Sequence, residues 1–258
     1  MLNIWICDQV FFTFFICLSV CVFAETNQLF VMTIPKSGTF ITAKAINILT
    51  GIPIEGSVMN HDNFTDTFLL ENPKIKTTAH LVENFEPLRC NNDVKRILVI
   101  RDLRDVCISA VYHLKKHDWY SYAIDHTNFY NMEFDDQVSY MIDIKNDEYS
   151  IKSFAQRAIL WMNTPGVLTI RFEDIVGEKG GGSKERQIQT LKNIADYLEI
   201  AVSQDILQYV ADNLFGGGGT FRCGQINNWK TQFSEKNKLL FHQVLGEELQ
   251  EFGYYNWE

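Results

Sequence analysis

Basic charge is in short supply. The chain of 258 residues carries 23 Lys and Arg against 32 Asp and Glu, a formal net charge of −9. Neutralising many phosphates takes clustered cations, so a broad surface for nucleic acid or anionic membrane is excluded, and an anionic ligand has to be held in a local pocket. Cysteine is scarce too. Of six, Cys7, Cys17 and Cys21 lie near the start, and Cys90, Cys107 and Cys223 are scattered with no C-x-x-C pair. That excludes a disulfide framework and a cysteine zinc site. No repeat of roughly 20–50 residues is present, which excludes a solenoid or propeller. Charged residues make up only 21%, whereas 46% are apolar and 13% aromatic. A disordered chain has too little apolar surface to offset its ordering entropy, and this one has enough for a domain with a real core.

Long hydrophobic runs are missing as well. Residues 10–24 (VFFTFFICLSVCVFA) form an apolar segment, but at about 15 residues it is short of the about 20 that a spanning helix needs. Its length suits the core of a signal peptide, and Val22-Phe23-Ala24 has the form of a cleavage site. The stretch before it departs from a secretory signal, with no Lys or Arg and an acid at Asp8. An anchor, a start placed too early and a buried helix are the other readings. We expect residues 1–24 to be a signal peptide or membrane anchor, with membrane association through residues 10–24, and residues 25–258 to form a single domain.

Two glycine runs, Gly180–Gly182 and Gly216–Gly219, hold seven of the 15 glycines and read as loops. Residues 28–35 (QLFVMTIP) have the pattern of a buried strand. After PKSGT comes a helical pattern with Ile41, Ala45, Ile48 and Leu49, stopped by Gly51 and Pro53. RILVIR (96–101) is a second buried strand, and Asp102 or Asp105 suits the first turn of the helix VCISAVYHL that follows. VLTIRFE (167–173) is a third strand, and residues 183–200 and 239–252 are amphipathic helices. Strands alternating with helices predict an α/β fold, a single domain with a central parallel sheet flanked by helices. Ligands of such sheets sit beyond the carboxyl ends of the strands.

Pro35-Lys36-Ser37-Gly38-Thr39 lies at such an end and suits a phosphate cradle. Gly38 lets the backbone approach an anion, the loop amides and helix N-terminus supply donors, Lys36 supplies charge, and Ser37 and Thr39 supply hydroxyls. The pattern G-x-x-x-x-G-K-[ST] is absent, because here the Lys precedes the Gly and the upstream Gly is missing. An ordinary strand-to-helix turn would use the same residues. Arg101 ends a strand and Ser109 lies eight residues on; together they can converge on a second anion, or Arg101 can simply pair with Asp105. Arg222-Cys223-Gly224, ahead of Asn228-Trp229-Lys230, offers a third set of donors. Three separate anion elements suggest a ligand with phosphates at two ends.

Taken together these motifs resemble the sulfotransferase family. PKSGT is similar to its 5′-phosphosulfate loop, and RDLRDVCIS (101–109) to its 3′-phosphate motif R-x-x-x-D-V-x-x-S. Phe221-Arg222 through Gly224, Trp229-Lys230 and Phe233 resembles the F-R-K-G-x-x-G-x-W-K-x-x-F signature, and RFED (171–174) resembles R-[FY]-E-D. The resemblance implies a P-loop-like phosphosulfate-binding loop and 3′-phosphoadenosine 5′-phosphosulfate (PAPS) as donor, with no metal. It implies in-line transfer of the sulfuryl group to a hydroxyl or amine of a small-molecule or glycan acceptor, with no nucleic-acid partner. The donor-binding set it implies is Lys36, Ser37, Gly38, Thr39, Phe40, Arg101, Ser109, Phe172, Arg222, Cys223 and Gly224, with Lys36 and His80 as the catalytic pair.

His80 is chosen as base because KTTAHL (76–81) looks like the K-T-H-L segment of cytosolic members, and histidine suits proton removal near neutral pH. His61 is the reserve candidate, and His113 reads as structural. Several positions depart from the family pattern: Thr78 and Cys223 stand where it has lysines, Ile41 where it has tryptophan, Asn227 where it has glycine, and Phe172 where many members have tyrosine. These departures keep a non-catalytic nucleotide-binding relative in play; a nucleotide-dependent kinase would need a metal-binding acid and a full Walker loop. Residues 10–24 point to a secretory or membrane location, whereas the donor's supply points to the cytoplasm or a Golgi lumen. Residues 115–150 read as a cover on the acceptor side.

Overall fold

The structure is a computed structural model that describes residues 28–51, 54–58, 76–81, 84–116, 126–145, 148–216 and 221–255. The apolar segment at residues 10–24 and the reserve base His61 lie outside the described residues. Among the described residues five strands form the sheet: β1 (Gln28–Thr33), β2 (Glu55–Val58), β3 (Lys76–His80), β4 (Val94–Ile100) and β5 (Val167–Arg171). All neighbours are parallel, in the order β2-β3-β1-β4-β5. Every residue of β1 is buried, as a strand covered on both faces requires.

Alternation divides the core in two. Phe30, Met32, Leu98 and Ile100 face one side, where α3 (Leu103–Leu114) packs. The partners of α3 there are α5 (Phe134–Ile142), α6 (Ile151–Met162) and α11 (Glu235–Glu251), and between β3 and β4 lies the short α2 (Glu86–Cys90). Leu29, Val31, Ile97 and Val99 face the other side, against α1 (Thr39–Thr50), α8 (Lys184–Tyr197) and α9 (Gln204–Leu214). Period-two alternation along each strand sends adjacent residues to opposite layers, which gives the expected α/β sandwich of helices about a parallel sheet. The residues expected to form an acceptor-side cover behave differently in part. Beyond α4 (His126–Asn131), Val138, Met141 and Ile142 of α5 are buried core, because that helix docks its apolar face on α3 and α11.

Serine sets the start of four helices, and Asp102 caps α3 by accepting from Arg104 N. Ser150, Ser183, Ser203 and Ser234 each accept a backbone N–H from the first turn of α6, α8, α9 and α11. Two boundaries shift from the sequence expectation. Helix α11 begins at Glu235, four residues before the expected start at 239, because the cap carries a polar first turn that apolar periodicity does not register. Helix α8 ends at Tyr197 rather than 200.

The strand order places the site. From β1 the chain runs to β2 and β3 on one side, and from β4 it runs to β5 on the other. The direction of winding therefore reverses between β1 and β4. Ligands of open parallel sheets bind at that crevice beyond the strand ends, and PKSGT follows β1 while RDLRD follows β4.

Candidate active site

The loop after β1 turns through two left-handed residues, Lys36 at φ 72° and Gly38 at φ 114°. Lys36 holds a conformation that costs an L-residue roughly 1–2 kcal/mol, a strain commonly stored at functional loops. Gly38 is required twice over, since its φ disfavours a side chain and a Cβ there would lie 2.7 Å from Cδ2 of Phe172. Unlike the serine-capped helices, α1 starts from Gly38 with no side-chain cap, so its first amides keep their donors for a ligand.

The hydroxyls expected to face the anion have other partners. Ser37 is fully buried and donates to the carbonyl of Val99 on β4 at 2.9 Å. Thr39 Oγ1 meets Thr33 Oγ1 at 2.8 Å. What the loop offers an anion is its backbone and Lys36, with Phe40 standing exposed beside it.

Arg101 joins three elements. Its Nη1 donates to the Lys36 carbonyl at 3.2 Å and its Nη2 to the Gln225 carbonyl at 2.8 Å. Asp105 lies 3.6 Å from Nη2, and the Phe172 ring packs 4.2 Å from the guanidinium carbon. Phe172 thus supports both Gly38 and Arg101. Pairing with Asp105 is real, yet it leaves Nε of Arg101 buried with no hydrogen-bond partner among the described residues. Buried donors are rarely orphaned, and this one fits a further acceptor such as a phosphate oxygen. Ser109 stands half-buried on α3.

The strap 221–228 is pinned by a residue that sequence reasoning placed only in a helix turn. Asp105 accepts from the amides of Asn227 (2.8 Å) and Trp229 (3.0 Å), which open α10 (Trp229–Gln232). The first glycine run supports the strap too: Gly180 accepts from Ile226 N, and a Cβ on Gly180 would lie 2.6 Å from the Gly224 carbonyl. Gly224 itself has φ 62° and sits against Phe221 and Phe215. Arg222 stacks over the Tyr112 ring at 4.2 Å. Cys223 accepts from Asn228 Nδ2 at 3.2 Å.

Electrostatics show which groups converge. Lys36 is lowered to about 8, chiefly by burial and then by the positive charges of Arg101 and Arg222. Three cations from three separate elements therefore crowd one place. His80, the last residue of β3, is 8% exposed and lowered to about 4, first by burial, then by Lys36, opposed by a hydrogen bond to the Thr33 backbone carbonyl, with a smaller push from His113. It is neutral at pH 7. Its Nδ1 lies 2.9 Å from Thr33 Oγ1. Lys36, Arg101, Arg222 and His80 are thus brought together, and His113 stands near enough to act on His80. Thr33 gave no signal in the sequence beyond its place before the loop.

A cavity of about 460 Å³ is lined by Arg104, Arg171, Glu173, Lys230 and Tyr254 among others, and not by Lys36, His80 or Arg222. Among the described residues no group of His, Cys, Asp and Glu is placed to hold a metal ion, and no helix is long and apolar enough to cross a membrane.

A strained cationic loop at the switch point, facing a buried histidine, agrees with the family that the motifs resemble, and the family model for the sulfotransferase domain matches residues 26–215. The chain belongs to the sulfotransferase family. Among solved structures, that of mouse sulfotransferase SULT7A1 complexed with PAP has a TM-score of 0.61 and 17% sequence identity, covering 92% of this chain and 93% of that chain. At that identity the likeness is one of fold. No curated protein matches the chain. The strap of this sulfotransferase, with Arg222 and Gly224, lies beyond the stretch matched by the family model, and its place beside Lys36 comes from the tertiary structure.

Proposed function

We propose that this sulfotransferase takes the sulfuryl group from PAPS and passes it to a hydroxyl or amine of a small-molecule or glycan acceptor. The observation that carries the reading is the crowding of Lys36, Arg101 and Arg222, which depresses the lysine and leaves a buried guanidinium donor unmet. Such a cluster is costly without an anion and favourable with one. The mouse sulfotransferase of the same fold was solved with PAP, which supports a donor carrying a 3′-phosphate.

The bound donor supplies the sulfuryl group and the leaving phosphate. The loop amides at the start of α1 and the Lys36 ammonium hold the 5′-phosphosulfate end, and Lys36 neutralises charge that builds as the phosphate departs. Arg101, Ser109, Arg222 and the Gly224 amide hold the 3′-phosphate. His80 is neutral, so it can accept the acceptor's proton. Its basicity is suppressed in part by Lys36, and an anion beside Lys36 offsets that effect, so donor binding makes His80 a better base.

Calorimetry with 3′,5′-adenosine bisphosphate, AMP and ATP tests the donor assignment. Tight binding of the bisphosphate, much weaker binding of AMP and none of ATP is the expected order; equal affinities reject the 3′-phosphate site. Transfer of label from PAPS across an acceptor library then separates an enzyme from a non-catalytic relative that binds the bisphosphate but never turns over.

A further inference from the structure

Proton bookkeeping around Thr33 settles something the motifs do not address. Thr33 ends β1, and the strand register sets it opposite His80 on β3. Its hydroxyl oxygen has three polar neighbours: Thr39 Oγ1 at 2.8 Å, His80 Nδ1 at 2.9 Å and the Ala79 carbonyl oxygen at 3.4 Å. A hydroxyl has one proton to give and two lone pairs to receive with. The carbonyl can only accept, so it takes the proton of Thr33. Thr39 then has to donate to Thr33, and the histidine ring has to present Nδ1–H. No other assignment makes all three contacts hydrogen bonds. If Thr33 gave its proton to His80 instead, the ring would carry its hydrogen on Nε2 and offer no lone pair away from Thr33.

The geometry points to Thr33 as a positioning residue of this site: its hydroxyl holds His80 as the Nδ1–H tautomer, keeps Nε2 as the basic nitrogen, and links the ring through Thr39 to the anion loop. The inference rests on His80 being the base, but the hold on the tautomer is a separate claim. Thr33 is wholly buried, so it acts through the ring of His80. The neutral ring that the burial of His80 enforces is the form in which the tautomer matters, because a charged ring carries protons on both nitrogens.

The test uses the full chain with ¹⁵N-labelled histidine, and His80→Gln assigns the signals. Long-range nitrogen–proton spectra at pH 7 distinguish a protonated from an unprotonated ring nitrogen. The expected wild-type spectrum has Nδ1 protonated and Nε2 not. Thr33→Val, which keeps the volume and removes the hydroxyl, should mix or reverse the tautomers. It should also lower the single-turnover rate of transfer from PAPS to a simple phenol by about 10–100-fold, the usual effect of losing an orienting partner, with 3′,5′-adenosine bisphosphate affinity within about twofold of wild type. Thr33→Ser should restore both the spectrum and the rate, which a purely structural role does not predict. A wild-type ring protonated at Nε2 overturns the proposal, whatever the rates. So does a folded Thr33→Val with the wild-type tautomer. Should Thr33→Val fail to fold, the wild-type and Thr33→Ser spectra still decide. If His80→Gln retains the full rate, the base assignment falls while the spectrum continues to judge Thr33.

Discussion

Replacing Asp105 by Asn should release the strap 221–228 without unfolding the domain. The buried carboxylate receives two backbone amides, from Asn227 and Trp229, and stands 3.6 Å from Arg101. An Asn side chain keeps one acceptor oxygen and turns an amide NH₂ toward the other donor. One hydrogen bond to a charged group is lost, at roughly 1.5–3 kcal/mol, and a buried N–H is left unmet at roughly 1–3 kcal/mol. Relaxation of the strap recovers part of this, so about 2–4 kcal/mol is expected against the closed strap. At 1.4 kcal/mol per tenfold that corresponds to opening about 30–700 times more often. The rest of the fold is held by other contacts: Trp229 stays packed in the core, and Ile226 stays bonded to Gly180. Hydrogen exchange is the direct assay. The amides of Asn227 and Trp229 should exchange faster by that factor, while the amides of β1 and β4 hold their wild-type rates. Affinity for 3′,5′-adenosine bisphosphate should fall and affinity for AMP should barely change. Wild-type protection of both strap amides in Asp105→Asn, with unchanged bisphosphate affinity, would refute the reasoning.

Lys36→Ala should reduce transfer by about 2–4 kcal/mol of transition-state stabilisation, as loss of a charged donor at a developing anion does, with an intact circular dichroism spectrum; wild-type turnover removes Lys36 from the mechanism. Gly38→Ala should disturb the loop through both its φ of 114° and the 2.7 Å approach to Phe172, lowering bisphosphate affinity and thermal stability, and unchanged values of both would show that the loop has a second conformation open to it. The histidine on β3 makes stability depend on acid: its folded value of about 4 lies below the ordinary 6.5, so the unfolded chain binds the proton first and stability falls as pH drops from about 6.5 to 4. The loss is roughly 3 kcal/mol. Denaturant unfolding across that window should show the slope, and His80→Gln should flatten it.

How much was legible depended on how each feature is encoded. The strands β1 and β4 could be read from apolar runs, because a parallel strand covered on both faces needs no polar alternation, whereas the edge strand β5 is only partly buried and is legible from the shorter VLTI. The short strands β2 and β3 lack that run; Thr77 and Thr78 are buried in β3 although neither is apolar. His80 is the final residue of β3, and this puts it in register with Thr33. The glycines at 180–182 read as a plain loop, and only their folded contacts with Val176 and with the carbonyls of Glu173 and Gly224 explain why bulk is excluded there.

By itself, then, the sequence determined the local chemistry: an anion loop whose lysine and glycine lie within three residues, an arginine ending a strand, a second cationic loop, and the periodicities that make an α/β sheet. These are short-range properties, carried by residues that are neighbours in the chain. Which of these groups meet was decided only by tertiary structure. Strand β1 lies between β3 and β4, and that order sets Thr33 beside His80, 47 residues away, and Ser37 against Val99, 62 residues away. The same packing holds Asn227 and Trp229 on Asp105 and crowds Arg222 toward Lys36. Distances of this kind depend on the register of non-consecutive strands and on helix docking, which no local pattern encodes. The shifts that make Lys36 and His80 chemically useful come from burial and from charges brought together by folding, so they exist only in the folded chain.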